Sequence, residues 1–224
     1  MRKSSKATDD LDSGRRAVPA YQKAIVGQFK RPHGVLGTVA GWIMANRESN
    51  IGRNKWTVGL LALKPGAEVL EIGCGPGIGV KAVLETIEGV HATGLDHSSQ
   101  MIAQAAKRNG EALKADRLDL FEGVLADLPG DRRFDAVFSC NVLQFVEERQ
   151  AFLHEVRRRL KPGGTFATTF QPRGRCATAR DGRAWISRFA EDLCRAGFQD
   201  VDVREEPFGD MPAFCALAVE PGPS

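Results

Sequence analysis

The sequence predicts an α/β fold, a doubly wound and mostly parallel sheet with helices on both faces, and three observations carry that expectation. First, residues 69–79 (Val-Leu-Glu-Ile-Gly-Cys-Gly-Pro-Gly-Ile-Gly) climb from a short apolar run through Glu71 into glycines at every second position. An apolar helical pattern, Val80, Val83, Leu84 and Ile87, follows directly, so the segment reads as a buried strand, a tight turn and a helix start. Second, the apolar run from Val90 ends on an acid, Asp96, roughly twenty residues beyond the glycines, at the carboxyl end of what would be the next strand. Third, strand-like and helix-like segments alternate from there to about residue 220.

A chain of 224 residues suits one sizeable domain of this kind. The net charge of +3 conceals an asymmetry: residues 1–60 carry eleven Lys/Arg against four Asp/Glu, and the remainder twenty against twenty-four. Five cysteines, at 74, 140, 176, 194 and 215, form no C-x-x-C pair and no secretory leader is read, which points to reduced thiols in a cytoplasmic protein. The histidines at 33, 91, 97 and 154 have no metal-ligand spacing, and no metal site is expected. The longest apolar stretch, Val35 to Ala45, is broken by glycines and far short of a membrane span, so no transmembrane segment is expected.

Residues 1–17 are polar, charged and aperiodic and are expected to be a disordered arm; Asp9, Asp10 and Asp12 dilute its basic residues, which argues against a nucleic-acid tail. Residues 18–63 read as short helices, Ala20 to Phe29, Gly34 to Ala45 and Asn54 to Leu63, stopped by Lys64-Pro65-Gly66. They could cover a sheet edge, form a dimer contact or, through Lys30-Arg31-Pro32-His33 and the apolar stretch around Trp42, rest peripherally on a membrane; monomer and homodimer both stay open. The main domain is expected over 64–224. Helix 79–88 leads to the strand Val90 to Asp96, and helix 98–113 turns Met101, Ile102, Ala105 and Ala106 to the core. Strand Leu118 to Val124 precedes Leu125-Ala126-Asp127-Leu128-Pro129, and strand Phe134 to Asn141 follows. Helix Gln150 to Leu160 turns Phe152, Leu153, Val156 and Leu160 inward and Arg157-Arg158-Arg159 mostly outward as a solvated face. Lys161-Pro162-Gly163-Gly164 stops it before strand Thr165 to Phe170. Helix 181–196 is capped by Gly197, and Asp200 to Glu206 with Ala213 to Glu220 read as a closing antiparallel pair.

The glycine spacing discriminates between ligands. A dinucleotide fingerprint requires G-x-G-x-x-G, yet counting from Gly73 the third glycine position holds Ile78. Val-Leu-Glu-Ile-Gly-Cys-Gly-Pro-Gly instead resembles the first motif of the class I S-adenosylmethionine-dependent methyltransferases. Gly-Leu-Asp-His-Ser-Ser-Gln-Met, from Gly94, resembles their second motif, and Phe134 to Asn141 their fourth. The resemblance spans about residues 65–220 and implies strand order 3-2-1-4-5-7-6, the last strand antiparallel, with the N-terminal helices as a lid over the cofactor mouth.

It also implies a site for S-adenosylmethionine, with S-adenosylhomocysteine as product. Glu71, Gly73, Cys74, Gly75 and Gly77 would form the glycine-turn part, Asp96 would hold the ribose hydroxyls, His97 would lie beside adenine, and Met101 is grouped with them. The family's Gly-Asp-Ala-x-x-Leu-Pro pattern aligns here with Val124 where its adenine-binding Asp belongs. Adenine is therefore expected on backbone groups of Val124 and Leu125, with a reach back from Asp127 as the other account. Asn141 would lie beside the methionine half, and Tyr21 could reach the cofactor carboxylate from the lid.

In-line transfer from a sulfonium asks mainly for proximity and alignment, and a general base only for weakly nucleophilic acceptors. His33 is the best-placed base candidate. Ser-Cys-Asn-Val at 139–142 lacks the Asn/Asp-Pro-Pro-Tyr/Phe of enzymes that methylate exocyclic base amines, and Cys140 lacks the Pro-Cys context of cytosine-C5 enzymes, so it reads as a buried strand cysteine. Trp42 and Trp185 could line an apolar pocket or simply pack. Basic residues flank the expected mouth on both sides: Lys30, Arg31, Arg47, Arg53 and Lys55, then Arg173, Arg175, Arg180, Arg183 and Arg188. An anionic or lipid-like small-molecule acceptor is the expectation. A protein or RNA methyltransferase, a non-catalytic cofactor binder and a dehydrogenase are the alternatives.

Overall fold

The computed structural model describes residues 48–174 and 176–222. The expected arm, the first two lid helices, Tyr21, His33, Trp42 and Arg175 lie outside them. One seven-stranded sheet runs β3-β2-β1-β4-β5-β7-β6, as the sequence predicts. Its strands are β1 (Glu68–Ile72), β2 (His91–Asp96), β3 (Leu118–Glu122), β4 (Phe134–Cys140), β5 (Leu160–Phe170), β6 (Gln199–Glu206) and β7 (Ala213–Val219). β1 to β5 are mutually parallel, and β7 runs antiparallel to both β5 and β6.

The central strands are apolar on both sides because helices cover both faces. Neighbouring residues go to opposite cores: Leu70, Val137 and Phe166 to one, Val69, Phe138 and Ala167 to the other. The first core is completed by α5 (Arg149–Arg159) and α6 (Ala179–Arg195), through Phe152, Leu153, Val156, Ile186 and Phe189. The second is completed by α1 (Glu48–Leu60), α2 (Ile78–Thr86), α3 (Ser99–Arg108) and the short α4 (Gly110–Lys114), with Val58, Val80, Val83 and Ala112 buried.

Several boundaries differ from the sequence expectation for physical reasons. Within the described residues α1 already runs from Glu48, ahead of the expected Asn54, and the Asn50 side chain inside it accepts from Arg53. The helix ends at Leu60 because Ala62 takes a left-handed backbone, φ 49°. The expected helix 98–113 is two helices: Asn109 leaves helical geometry, and its amide donates to the Gly77 carbonyl at 3.1 Å and the Ala105 carbonyl at 3.0 Å. β5 already begins at Leu160, opposite Phe134, and carries Pro162-Gly163-Gly164 as an irregularity before regular pairing resumes at Thr165 opposite Ala136.

The arginine run on α5 is the largest correction. Only Arg158 is strongly exposed; Arg157 pairs with Glu220 and donates to the Ala196 carbonyl at 2.8 Å. Arg159 is buried, 3% exposed, beside Glu155. Its guanidinium donates to the carbonyls of Leu125 (3.2 Å), Leu128 (3.0 Å) and Pro129, so it fastens the loop after β3 from beneath. A run that reads as solvated face thus contains a buried clamp. Arg159→Met would leave three carbonyls without their donor and Glu155 with only the exposed Arg158 as its cation, and a loss of about 3 kcal/mol or more is expected from urea denaturation. Arg158→Ala is expected to stay within about 0.5 kcal/mol of the parent in the same experiment.

Candidate functional site

At the carboxyl ends of β1 and β4 lies a cleft of about 220 Å³. Its lining includes Glu71, Gly73, Cys74, Gly75, Met101 and Asn141 from the residues singled out in the sequence. It also includes Asn50, Arg53 and Asn54 of α1, Cys140 of β4, and Arg173. Gly77, Asp96, His97, Val124 and Leu125 lie outside this lining.

The turn after β1 is built by glycines with positive φ: 70° at Gly73, 51° at Gly75 and 77° at Gly77. Each has a different surrounding. A side chain at Gly73 would strike Val142, and one at Gly77 would strike Asn109 and Ala105. Gly75 faces open space, with nothing within 4 Å of where a Cβ would sit. Two of the three glycines therefore serve packing, while Gly75 keeps backbone accessible from the cleft. The turn is braced from below by Asn109 and by Arg108, whose Nε donates to the Pro76 carbonyl at 2.9 Å. It is tied to β2 through the Gly73 and Cys74 amides, which both donate to the Leu95 carbonyl.

Glu71 is buried at 3% exposure beneath the N-terminus of α2. Burial pushes its carboxyl well above the ordinary carboxylate range; the Val80 backbone N–H opposes this and nearby Asp96 adds to it. Oε2 has no hydrogen-bond partner. A Cβ at Gly79 would overlap the same carboxyl group, so the fourth glycine exists to let the acid in. Asp96, at the end of β2, is 7% exposed and already holds two main-chain donors, Gly75 N–H on Oδ2 and Ser98 N–H on Oδ1, both at 2.9 Å. His97 stands beside it, Nδ1 at 3.5 Å from Oδ1. Asp96 thus locks the glycine turn to the second strand while leaving lone pairs on both oxygens.

Past β3, the Val124 N–H donates to Asp127 Oδ2 at 2.8 Å and the Val124 carbonyl accepts from the Asp127 N–H at 2.8 Å. The Asp127 carboxylate is thereby committed to its own loop, and Leu125 is buried with its carbonyl on Arg159. Asn141 takes a left-handed backbone, φ 57°; its Oδ1 accepts from the Gln171 N–H at 2.8 Å, and its Nδ2 has no partner.

Of the α1 residues, Arg53 was expected at the mouth, whereas Asn50, Asn54 and Thr57 were not legible as site residues, because a polar residue in a mixed helix carries no local signal of what the helix covers. Here Thr57 is fully buried; its hydroxyl contacts Thr169 Oγ1 at 2.6 Å and the Cys140 thiol at 3.5 Å. Arg53, 1% exposed, donates to Gln171 Oε1 at 2.6 Å. These contacts pin α1 across the ends of β4 and β5. The Cys140 thiol is pushed up to about 12, first by burial and then by Glu71, so it is a neutral structural thiol at physiological pH. Of the basic residues expected around the mouth, Arg53 and Arg173 line this cleft, Lys55 lines a groove beside it, and Arg183 is paired with Glu205. Among the described residues no cluster of three or more metal-ligating side chains occurs, and no helix is long and apolar enough to cross a membrane.

Gly79→Ala tests the seat of Glu71. Alanine suits a helix better than glycine by about 1 kcal/mol, yet here it is expected to destabilise by about 1–3 kcal/mol through overlap with the carboxyl group. In a Glu71→Ala background the same substitution is expected to become neutral or stabilising, a reversal that denaturant midpoints of the four proteins would read.

Comparison with known proteins places this geometry. Residues 70–166 match the family model described as "Methyltransferase domain". The chain is 31% identical over 184 residues to an uncharacterized methyltransferase, YdaC, of Bacillus subtilis, covering 82% of this chain and 98% of the relative. It is 37% identical over 105 residues to a fatty-acid O-methyltransferase of Mycolicibacterium smegmatis, covering 46% of this chain and 37% of that one. In three dimensions it resembles a phosphoethanolamine N-methyltransferase of Haemonchus contortus solved with phosphomonomethylethanolamine and S-adenosylhomocysteine, with a TM-score of 0.68 at 17% identity, covering 91% of this chain and 61% of that one. The chain belongs to the class I S-adenosylmethionine-dependent methyltransferases, with S-adenosylmethionine as its cofactor.

Proposed function

We propose that the protein methylates a small-molecule acceptor that carries an anionic group and whose nucleophile needs no protein base. One observation carries this reading: the described lining of the cleft holds two arginines, Arg53 and Arg173, and neither histidine nor aspartate.

The residues suit the cofactor. Glu71 Oε2 is a buried acceptor without a donor and would take the methionine ammonium. The open side of Gly75 lets the chain approach the sulfonium half. Asp96 would accept the ribose hydroxyls on its remaining lone pairs. The Val124 carbonyl keeps a second lone pair for the adenine amino group, with Leu125, His97 and Met101 as walls. Gly73, Cys74 and Gly77 shape the turn, and Asn141 stands at the methionine end. Tyr21 keeps its proposed place on the lid as carboxylate ligand, and His33 would act as base only for an acceptor that needs one. When bound, the sulfonium supplies an activated methyl group.

The remaining work falls to this chain, and it is positional. The glycine turn and Asp96 fix one end of the cleft, while α1, pinned to β4 and β5 through Thr57, presents Arg53 at the other. With Cys140 neutral and Glu71 occupied, none of the described lining groups is suited to draw a proton from an acceptor. An amine, a thiolate or an ionised oxygen meets that condition. Among the relatives, the fatty-acid and phosphoethanolamine enzymes are named for acceptors that carry an anionic group, whereas a sterol 24-C-methyltransferase is named for one that does not.

Incubation with methyl-labelled S-adenosylmethionine and a host extract, followed by fractionation, tests the proposal. Label is expected in small anionic molecules or lipids. Label in protein or RNA would contradict the acceptor class, and none anywhere would contradict catalysis. Gly75→Ala is expected to cost about 1–2 kcal/mol of stability for its positive φ, while S-adenosylhomocysteine affinity in titration calorimetry falls at least tenfold.

A further inference from the structure

Arg53 is a buried cation for which the described residues supply no anion. Its guanidinium donates through Nη1 to Gln171 Oε1 and through Nη2 to Asn50 Oδ1, both amide oxygens, and Nε donates to nothing. Burial lowers it to about 10, Arg173 adding to the effect, so it remains charged at neutral pH. Burying a cation costs several kcal/mol unless a counter-charge is close. Glu71 lines the same cleft but is held toward its neutral acid by burial.

The group is also rigidly held. Gln171, which accepts from Arg53, donates its own amide to the Met211 carbonyl at 2.7 Å, and its backbone N–H donates to Asn141 Oδ1. That last bond turns Asn141 so that Nδ2, buried and unpartnered, is left over. Two spare N–H donors, one on a cation, therefore belong to one fixed network on the wall of one cleft. Their complement is a group with two oxygens and a negative charge.

We propose that Arg53 and Asn141 form an oxyanion subsite that takes a carboxylate or phosphate group. The inference rests on the cleft being the cofactor and acceptor site. The anion has two sources there: the α-carboxylate of the cofactor, or the acidic group of the acceptor. Arg53 is then a binding residue, and α1 closes on the ligand through it.

Titration calorimetry on the full chain separates the sources, using Arg53→Met, which keeps the length without the charge. The probes are S-adenosylhomocysteine, its decarboxylated analogue S-adenosyl-3-thiopropylamine, and inorganic phosphate added at saturating S-adenosylhomocysteine. If the cofactor carboxylate occupies the subsite, Arg53→Met weakens S-adenosylhomocysteine at least tenfold and leaves the decarboxylated analogue unchanged. If the acceptor supplies the anion, S-adenosylhomocysteine affinity is unchanged, and phosphate binds the parent but not the variant. Equal affinity of parent and variant for S-adenosylhomocysteine and phosphate alike would overturn the subsite. Should Arg53→Met not fold, Arg53→Lys, which keeps the charge but cannot span both amides and a ligand, carries the same comparison with the same signs. A parent protein that binds no S-adenosylhomocysteine would overturn the cofactor reading of the cleft, and the phosphate arm would still decide the subsite.

Discussion

A single buried carboxyl group organises the cleft. Glu71 lies one residue before the end of the central strand β1 and sits beneath the start of α2, where the Val80 N–H reaches it and Gly79 makes room for it. Placing an acid there is costly, and the chain meets the cost in part by leaving the group toward its neutral form. The glycine turn above it is held in turn by Asp96, Asn109 and Arg108, three side chains from two neighbouring elements. The turn is therefore a small scaffold with one accessible side, at Gly75, rather than a flexible loop.

The two halves of the site are built on different principles. The side toward β2 and β3 is held by bonds already made: Asp96 holds two amides, Val124 and Asp127 bond each other, and Arg159 clamps the loop from within the core, while lone pairs remain on Asp96. The side toward β4 and β5 is deliberately incomplete, with spare groups on Glu71, Asn141 and Arg53 all in one cleft. Groups already bonded fix position, whereas unsatisfied buried groups wait for a ligand to complete them. That contrast suits a cofactor whose nucleoside end is held by preformed geometry and whose charged end supplies the missing partners.

Much of this was legible in the sequence. Hydrophobic patterns located the strands and helices of the 64–224 region; the glycine spacing argued against a dinucleotide, and the resemblance of the segments at Val69 and Gly94 to known motifs implied the cofactor class. What was not legible depended on tertiary contacts. Arg157-Arg158-Arg159 looks like a solvated face, and only the loop lying under α5 makes Arg159 a core residue. Asn109 leaves helical geometry where its side-chain amide braces the Gly77 carbonyl, distant in sequence. Arg53 appeared as one of many basic residues, and its difference from Lys55 two positions on is which side of α1 meets the sheet. Val124 in place of an acid suggested a weakened adenine contact; the structure adds that the adjacent Asp127 is engaged with Val124 itself.

Burial favours the protonated form of Glu71 in the free protein, and a ligand ammonium arriving beside Oε2 is expected to displace that proton. Titration calorimetry of S-adenosylhomocysteine in two buffers of different ionisation enthalpy, from pH 5 to pH 8, counts the protons exchanged. Above the ordinary carboxylate value and below the raised value of the free protein, binding is expected to release protons toward one per site. The release is expected to vanish in Glu71→Gln. Buffer-independent binding by the parent over that whole range would contradict the account.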